Sequence, residues 1–367
     1  MKYQRILLSF LTATSGAIAT AQAESLSSNS VDGVLTHYTE GTVIQTYANM
    51  ATESLKLNEA VNKLAAKPTD ARVEAAADAW RATRANWEQS EAFLFGPASF
   101  NDLDPQLDSW PLDQAQLDHV LATIENGQLE VDAGYVRDYL GAALRGFHAV
   151  EYLLFRNGQP RAAADFTKAE LQYLVAATQV MTEDCITLEA WWTGMDNLAE
   201  DKKEVLEEAE IETSGSYGQE FVNAGKAGSR YDSQTEAIQE ILQGCIDIAD
   251  ELAGAKIGDP AESQNPQECE SWYSWNSLDD FTNNLISIQN AYEGTTGGDS
   301  LSDLVAAQDP GLDAGVKAAI ATARKSVSAI PAPYRNNLGE SEAIDAAVAD
   351  CLLVSEKLAS VQEKLDS

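Results

Sequence analysis

The sequence is poor in histidine and cysteine, the residues that form most zinc sites. Among its 367 residues are three histidines and four cysteines. It contains no HExxH pattern of zinc proteases and no CxxC pair. The GxSxG, P-loop and GxGxxG patterns are absent as well. These absences remove the commonest zinc-protease, zinc-ribbon, serine-hydrolase and nucleotide-binding classes.

Basic residues are also few. Lysine and arginine total 24 against 58 aspartates and glutamates, which gives a formal net charge of −34. So acidic a chain repels nucleic acid, and we expect no nucleic-acid partner. Beyond the N-terminus, no apolar run reaches the ~18 residues that a membrane-spanning helix needs, so no transmembrane segment is expected.

The N-terminus has the pattern of a secretory signal peptide. Lys2 and Arg5 precede an apolar run, and Ala21-Gln22-Ala23 is a small-residue cleavage signal. We therefore predict a signal peptide over 1–23 and a flexible, Ser-rich lead-in over 24–32. The protein is expected to be exported, to the periplasm or the outer cell surface.

The cysteines leave two interpretations open. An even number in an exported protein is compatible with disulfides, and four cysteines allow three pairings that the sequence does not rank. Buried free thiols are the alternative. The residues are Cys185, Cys245, Cys269 and Cys351.

Helical spacing dominates the remaining chain. Val73, Trp80, Trp87 and Leu94 recur every seven residues, which is typical of a helix packed in a bundle. No stretch alternates as a sheet strand does. The predicted fold class is all-α, and the length predicts two helical-bundle domains, 33–195 and 196–367.

One long segment interrupts the helices. Gly96 to Asp113 contains three prolines, which disfavour regular helix, and four aspartates. Trp110 near its end predicts a loop packed onto the protein body rather than a free linker. A loop of this length is usually functional or disordered, and its aromatic anchors argue against disorder.

A strongly apolar helix is predicted over Tyr139–Phe155, and it carries two ionisable residues. His148 and Glu151 are three residues apart, so their side chains share one face. Burying such groups without a partner or a metal costs several kcal/mol, roughly. Gly141 and Gly146 in the same segment suggest that another backbone or a ligand approaches closely. A core hydrogen bond and a functional site are both compatible with this pattern.

If the pair binds a metal, the other ligands must be mostly oxygen, because His148 has few histidines to join it. An oxygen-rich site with one histidine suits iron or manganese better than structural zinc. Helix bundles can hold iron with Glu and His at i, i+3. Only one such pair is visible here, so a ferritin-type dinuclear centre is not expected.

Three blocks make the sequence resemble the imelysin family. Gly146–Glu151, GFHAVE, matches the GxHxxE signature of that family. Two further blocks, Trp87–Trp110 and Glu270–Gly294, are similar to it and follow in the right order. The resemblance implies an exported protein of two helical bundles, linked to iron acquisition, with a site at the junction of the bundles. It also implies that His148 and Glu151 are metal ligands.

Residues of the other two blocks are candidates for the same site. Glu91 is predicted as a third metal ligand. Ordinary ion pairs with Arg84, or charge at a helix N-terminus, are the alternative for the acidic residues. The residues predicted to line the pocket are Arg84, Trp110, Trp275, Asn276, Asp279 and Asp280.

The resulting hypothesis is an exported component of bacterial iron acquisition that binds iron, or an iron-bearing small ligand, between two bundles. Zinc is the less favoured metal, and an outer-membrane or periplasmic iron-uptake component is a candidate partner. A metallopeptidase of the imelysin type is one alternative. A structural adaptor for an outer-membrane receptor, with His148 and Glu151 as a core pair, is another.

Overall fold

The computed structural model describes residues 28–295 and 297–366, and these are almost entirely helical. The predicted signal peptide lies outside them. The only strands in this part of the chain are β1 (Phe155–Arg156) and β2 (Gln159–Pro160), an antiparallel pair. The all-α prediction is confirmed. The helices are α1 Ser28–His37, α2 Ile44–Ala66, α3 Asp70–Glu88, α4 Pro97–Phe100, α5 Leu103–Asp108, α6 Gln114–Glu125, α7 Ala133–Tyr139, α8 Gly146–Leu154, α9 Lys168–Thr193, α10 Glu200–Glu208, α11 Tyr217–Val222, α12 Gln234–Glu251, α13 Gly258–Ser263, α14 Ser277–Glu293, α15 Leu301–Gln308, α16 Pro310–Ala329 and α17 Ser341–Asp366.

Two groups of long helices make up most of the packing. In the first half of the chain α2 packs on α3 and α9; in the second, α17 packs on α12 and α16. Helix α14 contacts α3 as well as α12 and α16, so it joins the two groups. Apolar side chains of both groups belong to one buried cluster. The domain division at residue 195 stays a prediction.

Helix α1 begins inside the segment predicted as a flexible lead-in. Residues 28–32 of that segment are helical, while 24–27 lie outside the described residues. Val31, Val34 and Leu35 are buried, and burying these apolar side chains offsets the entropy lost by ordering a polar stretch.

The long segment after α3 differs from the predicted loop in detail. It contains α4 and α5, and Pro97 and Pro105 lie in the first turns of these short helices, where a missing N–H costs nothing. The heptad pattern continues to Leu94, but the helix itself ends at Glu88. Its continuation, Glu91–Phe93, is a 3₁₀ turn.

The expected helix over Tyr139–Phe155 is wrong in its first half. Helix α7 ends at Tyr139, a 3₁₀ turn follows at Ala142–Leu144, and α8 starts only at Gly146. Gly146 has φ +73°, and a Cβ there would collide with the Leu107 carbonyl oxygen. Close approach of another backbone therefore explains this glycine, and it places the end of α5 against the start of α8.

The four cysteines are buried free thiols in this structure, so the disulfide alternative does not apply to it. No helix among the described residues has the length and apolarity to cross a membrane.

Candidate metal-binding site

His148 is fully buried on α8 and held from two sides. Its Nδ1 lies 3.0 Å from Glu151 Oε2, one turn further along the helix. Its Nε2 lies 3.1 Å from Asp108 Oδ1, but without the alignment of a hydrogen bond. The Trp110 ring covers the imidazole, with ring centroids 4.6 Å apart. Burial lowers the pKa of His148, the contacts with Asp108 and Glu151 raise it, and the balance is about 9.

The Glu151 carboxylate is engaged on both oxygens. Oε2 faces His148, and Oε1 accepts hydrogen bonds from the Tyr273 amide (3.1 Å), the Ser274 amide (2.8 Å) and the Ser274 hydroxyl (2.6 Å). The donors lie in a strained turn, in which Ser271 has φ +49° and Trp275 has φ +65°. Positive φ is costly for a bulky side chain, so packing and these hydrogen bonds must hold the turn in place.

Arg84, from α3, is the buried cation at the centre of the cluster. Its guanidinium pairs with Glu88 and Asp108, lies 2.9 Å from Glu270 Oε1, and places Nε 3.6 Å from Asp280 Oδ1. Burial lowers the pKa of Arg84, but the surrounding carboxylates raise it further, well above its usual value. Of the acidic residues for which pairing with Arg84 was the alternative, Asp280 faces Arg84; the partners Glu88, Asp108 and Glu270 were not predicted.

Asp108 links the histidine to the arginine. It is the last residue of α5, and its Oδ2 accepts a hydrogen bond from the Trp87 indole at 2.6 Å. Burial raises the pKa of Asp108, yet Arg84 and His148 together hold it far below its usual range. Asp108 is therefore ionised at neutral pH.

A second cation, Lys256, lies on the other side of Glu270. Its ammonium is 2.7 Å from Glu270 Oε2, 3.5 Å from Glu251 Oε1 and 3.8 Å from Glu91 Oε1. Burial raises the pKa of Glu91 well above its ordinary value, and Lys256 offsets this only in part.

Asp280 lies at the buried edge of the cluster, at the start of α14. It accepts hydrogen bonds from the Ser271 hydroxyl and, at 2.7 Å, from the Asn276 amide. Burial raises its pKa to about 6 against the effect of Arg84. Glu88 is similar: burial raises its pKa, and its Oε2 accepts a hydrogen bond from Asn284 at 2.5 Å.

The structure thus brings together most, but not all, of the predicted residues. Arg84, Trp110 and Asp280 contact the cluster directly, and Asn276 does so through Asp280. Asp279 is exposed, away from His148, because it faces outward in the first turn of α14. Trp275 packs against Gly158, and its ring centroid lies 5.8 Å from the Arg335 guanidinium.

Sequence reasoning missed several of the acidic and basic residues. Asp108 and Glu270 stand within the two blocks that resemble the family, Glu270 as the first residue of its block, so the signal was present. Glu88 stands in the first of these blocks as well, next to Trp87, whereas Lys256 lies outside both blocks and gave no signal, because charged residues in helices are usually solvated.

Two overlapping groups of side-chain donor atoms are close enough together to bind one metal ion each. Ligand atoms of Asp108, His148 and Glu270 lie within 4.8 Å of one another, and so do those of Glu88, Glu91 and Asp108. Six buried carboxylates share the cluster with three basic groups, and burial favours the protonated forms of two of them, Glu88 and Glu91. The carboxylates are Glu88, Glu91, Asp108, Glu151, Glu270 and Asp280; the basic groups are Arg84, Lys256 and His148.

Fold and site define the class: an all-helical protein with a buried histidine–carboxylate cluster beneath an aromatic cover. The chain belongs to the imelysin family, because the family model described as Imelysin, Peptidase M75, matches residues 43–361. This confirms the resemblance seen in the sequence.

Two relatives are similar over nearly the whole chain. Iron-regulated protein A of Synechococcus elongatus is 30% identical over 305 residues, which are 82% of this chain and 76% of the relative. The crystal structure of an iron-regulated protein A precursor from Parabacteroides distasonis has TM-score 0.81 and 32% identity, and the match covers 94% of this chain and 97% of that one.

A more distant structure shares the fold alone. It is an imelysin-like protein from Psychrobacter arcticum, with TM-score 0.65 and 13% identity over 94% of this chain and 95% of the other.

Proposed function

We propose that this protein is an exported iron-binding protein of bacterial iron acquisition, and that Asp108, His148 and Glu270 hold the metal. The observation that carries the proposal is the position of His148 Nε2, a buried nitrogen 3.1 Å from the Asp108 carboxylate and within 4.8 Å of a Glu270 carboxylate oxygen. When His148 is deprotonated at this nitrogen, a metal ion can bind there in place of the contact with Asp108. The histidine and the two carboxylates would then bind the ion together.

Within this proposal Glu151 orients the histidine instead of binding the ion, unlike its predicted role. A metal-binding imidazole commonly donates its second N–H to a carboxylate, which fixes the tautomer and the ring. Glu151 has this geometry at Nδ1, and the hydrogen bonds from Tyr273 and Ser274 occupy its other oxygen. Arg84 holds Asp108 and Glu270 in place for the ion.

Iron is favoured over zinc on two grounds. One nitrogen with carboxylate oxygens is a donor set that suits iron or manganese better than structural zinc. The two similar relatives are both named iron-regulated. Export follows from the predicted signal peptide, and an outer-membrane or periplasmic iron-uptake component remains the proposed partner.

The site supports peptidase chemistry less well. A metallopeptidase needs a carboxylate that is free to take a proton from the attacking water, beside the metal ligands. Glu151 is engaged on both oxygens, and Glu270 is held between Arg84 and Lys256. In the adaptor alternative, the His148–Glu151 pair would serve packing alone.

The test is an anaerobic titration of the metal-free protein with ferrous iron. We expect one Fe²⁺ to bind tightly to the wild type and at least about 100-fold more weakly to Asp108→Asn or His148→Gln. His119→Gln, on the exposed face of α6, is the matched control. Equal binding by the wild type and both site variants would refute the proposal. Lower stability of these variants with unchanged ligand binding would favour the adaptor.

A further inference from the structure

An acidic pocket lies next to the cluster, and Glu91 belongs to both. The pocket has a volume of about 330 Å³, and carboxylates of five residues line it. Among its described lining residues none is Lys, Arg or His. It reaches solvent, since Asp247 and Glu251 are exposed. The five are Glu91, Asp104, Glu240, Asp247 and Glu251.

Tight packing between α12 and the turn after α3 fixes the position of Glu91 in this pocket. A Cβ on Gly244 would collide with the Ala92 carbonyl oxygen, so glycine is required for α12 to come this close. The backbone amide of Ala92 is also held, by a hydrogen bond of 3.1 Å from that amide to the Ser287 hydroxyl. Glu91 thus stands on a rigid turn rather than on a mobile loop.

The Glu91 carboxylate is buried but poorly satisfied. The residue is 8% exposed, and no hydrogen bond to its carboxylate is found in the described part of the chain. The nearest basic group, the Lys256 ammonium, is 3.8 Å away, beyond hydrogen-bond distance. An ionised carboxylate in this position lacks the partners that burial requires.

We propose a second cation site at the inner end of this pocket, in which Glu91, a lining residue, binds a hard divalent cation together with Glu88 and Asp108 from the cluster next to it. Their ligand oxygens lie within 4.8 Å of one another. Ligands that are all oxygen select hard ions such as Mn²⁺, Mg²⁺ or Ca²⁺, whereas the first site contains a nitrogen ligand. The outer carboxylates concentrate cations at the mouth of the pocket.

The second site shares Asp108 with the first but does not use His148. It goes beyond the proposed function, because neither site needs the other to be occupied. The pocket then connects solvent with Glu91, and a cation held there lies beside the first site because Asp108 belongs to both groups.

The test is a titration of the metal-free protein with Mn²⁺, with the free ion measured by its electron paramagnetic resonance signal. We expect Glu91→Gln to weaken one class of bound Mn²⁺ by at least about tenfold, since each lost carboxylate removes charge and a ligand. That class should persist in His148→Gln. Glu356→Gln, an exposed change of the same charge on α17, should bind as the wild type does.

A second variant keeps the test valid in case Glu91→Gln fails to fold. The double change Glu240→Gln with Asp247→Asn alters only the partly or fully exposed wall of the pocket, and it should weaken the same class several-fold. Mn²⁺ binding that is unchanged in both pocket variants would overturn the second site. If this class of bound Mn²⁺ were lost in His148→Gln alone, that result would also overturn the second site, and it would support the first site. If this class of bound Mn²⁺ were lost in Glu91→Gln and retained in His148→Gln, the result would support the second site against the first.

Discussion

The stability of the metal-free protein should fall as pH rises, because His148 loses a proton that stabilises the fold. The pKa of His148 is raised from 6.5 to about 9 in the folded protein, by Asp108 and Glu151 against the effect of burial. A group whose pKa is higher in the folded than in the unfolded protein stabilises the fold fully when the pH is below its unfolded pKa. This stabilisation is lost as the pH rises through the folded pKa. Each unit of difference is worth about 1.4 kcal/mol, so roughly 3 kcal/mol is lost between pH 6.5 and 9.

The assay is urea unfolding of the wild type and His148→Gln at several pH values from 6 to 9.5. Because other buried groups also titrate in this range, the quantity of interest is the difference between the two proteins. We expect the stability advantage of the wild type to shrink by roughly 3 kcal/mol across the range. His119→Gln, on an exposed position of α6, should follow the wild type at every pH. A difference between wild type and His148→Gln that does not change with pH would refute the reasoning.

Three further predictions concern the cluster and the core. Gly146→Ala should lower the free energy of unfolding by at least about 2 kcal/mol in chemical denaturation, because the new Cβ would meet the Leu107 carbonyl oxygen at a positive φ. Gly141→Ala is the control: nothing lies within 4 Å of its Cβ, and the change should be less than about 1 kcal/mol. Arg84→Met should destabilise the metal-free protein by roughly 3–5 kcal/mol, since it removes the buried cation that Glu88, Asp108 and Glu270 share. Lys56→Met, an exposed change, should cost less than about 1 kcal/mol. Equal melting temperatures of these two variants would count against the central role of Arg84. Thiol titration should find the four cysteines unreactive in the folded protein and all free after unfolding without reductant; a mass that increases on reduction would contradict free thiols.

The fold class and the paired residues of α8 follow from local rules. Helical periodicity and the lack of alternation predict an all-α chain, and spacing of three puts His148 and Glu151 within 3.0 Å of each other. The same spacing argument fails at residues 140–145. Apolar composition favours a helix there, but Gly146 at positive φ ends the preceding turn, and only the contact with Leu107 explains why.

Most of the cluster comes from contacts that no local rule contains. Arg84 and Glu270 are 186 positions apart in sequence, yet their side chains are 2.9 Å apart. Asp108 and Trp110 of the candidate site lie in the segment after α3, but the sequence does not indicate which of its aspartates turns inward. Asp279 and Asp280 show the limit of sequence reasoning: two adjacent carboxylates look alike, and the helix rotates one into the cluster and the other into solvent.

The most direct test of the account is anomalous diffraction at the iron absorption edge, from crystals of the protein loaded with ferrous iron under anaerobic conditions. We predict an anomalous peak bounded by Asp108, His148 and Glu270, with Glu151 still bound to the Tyr273 and Ser274 amides. A peak elsewhere in the molecule, or its absence from crystals that contain iron by elemental analysis, would contradict the proposed site.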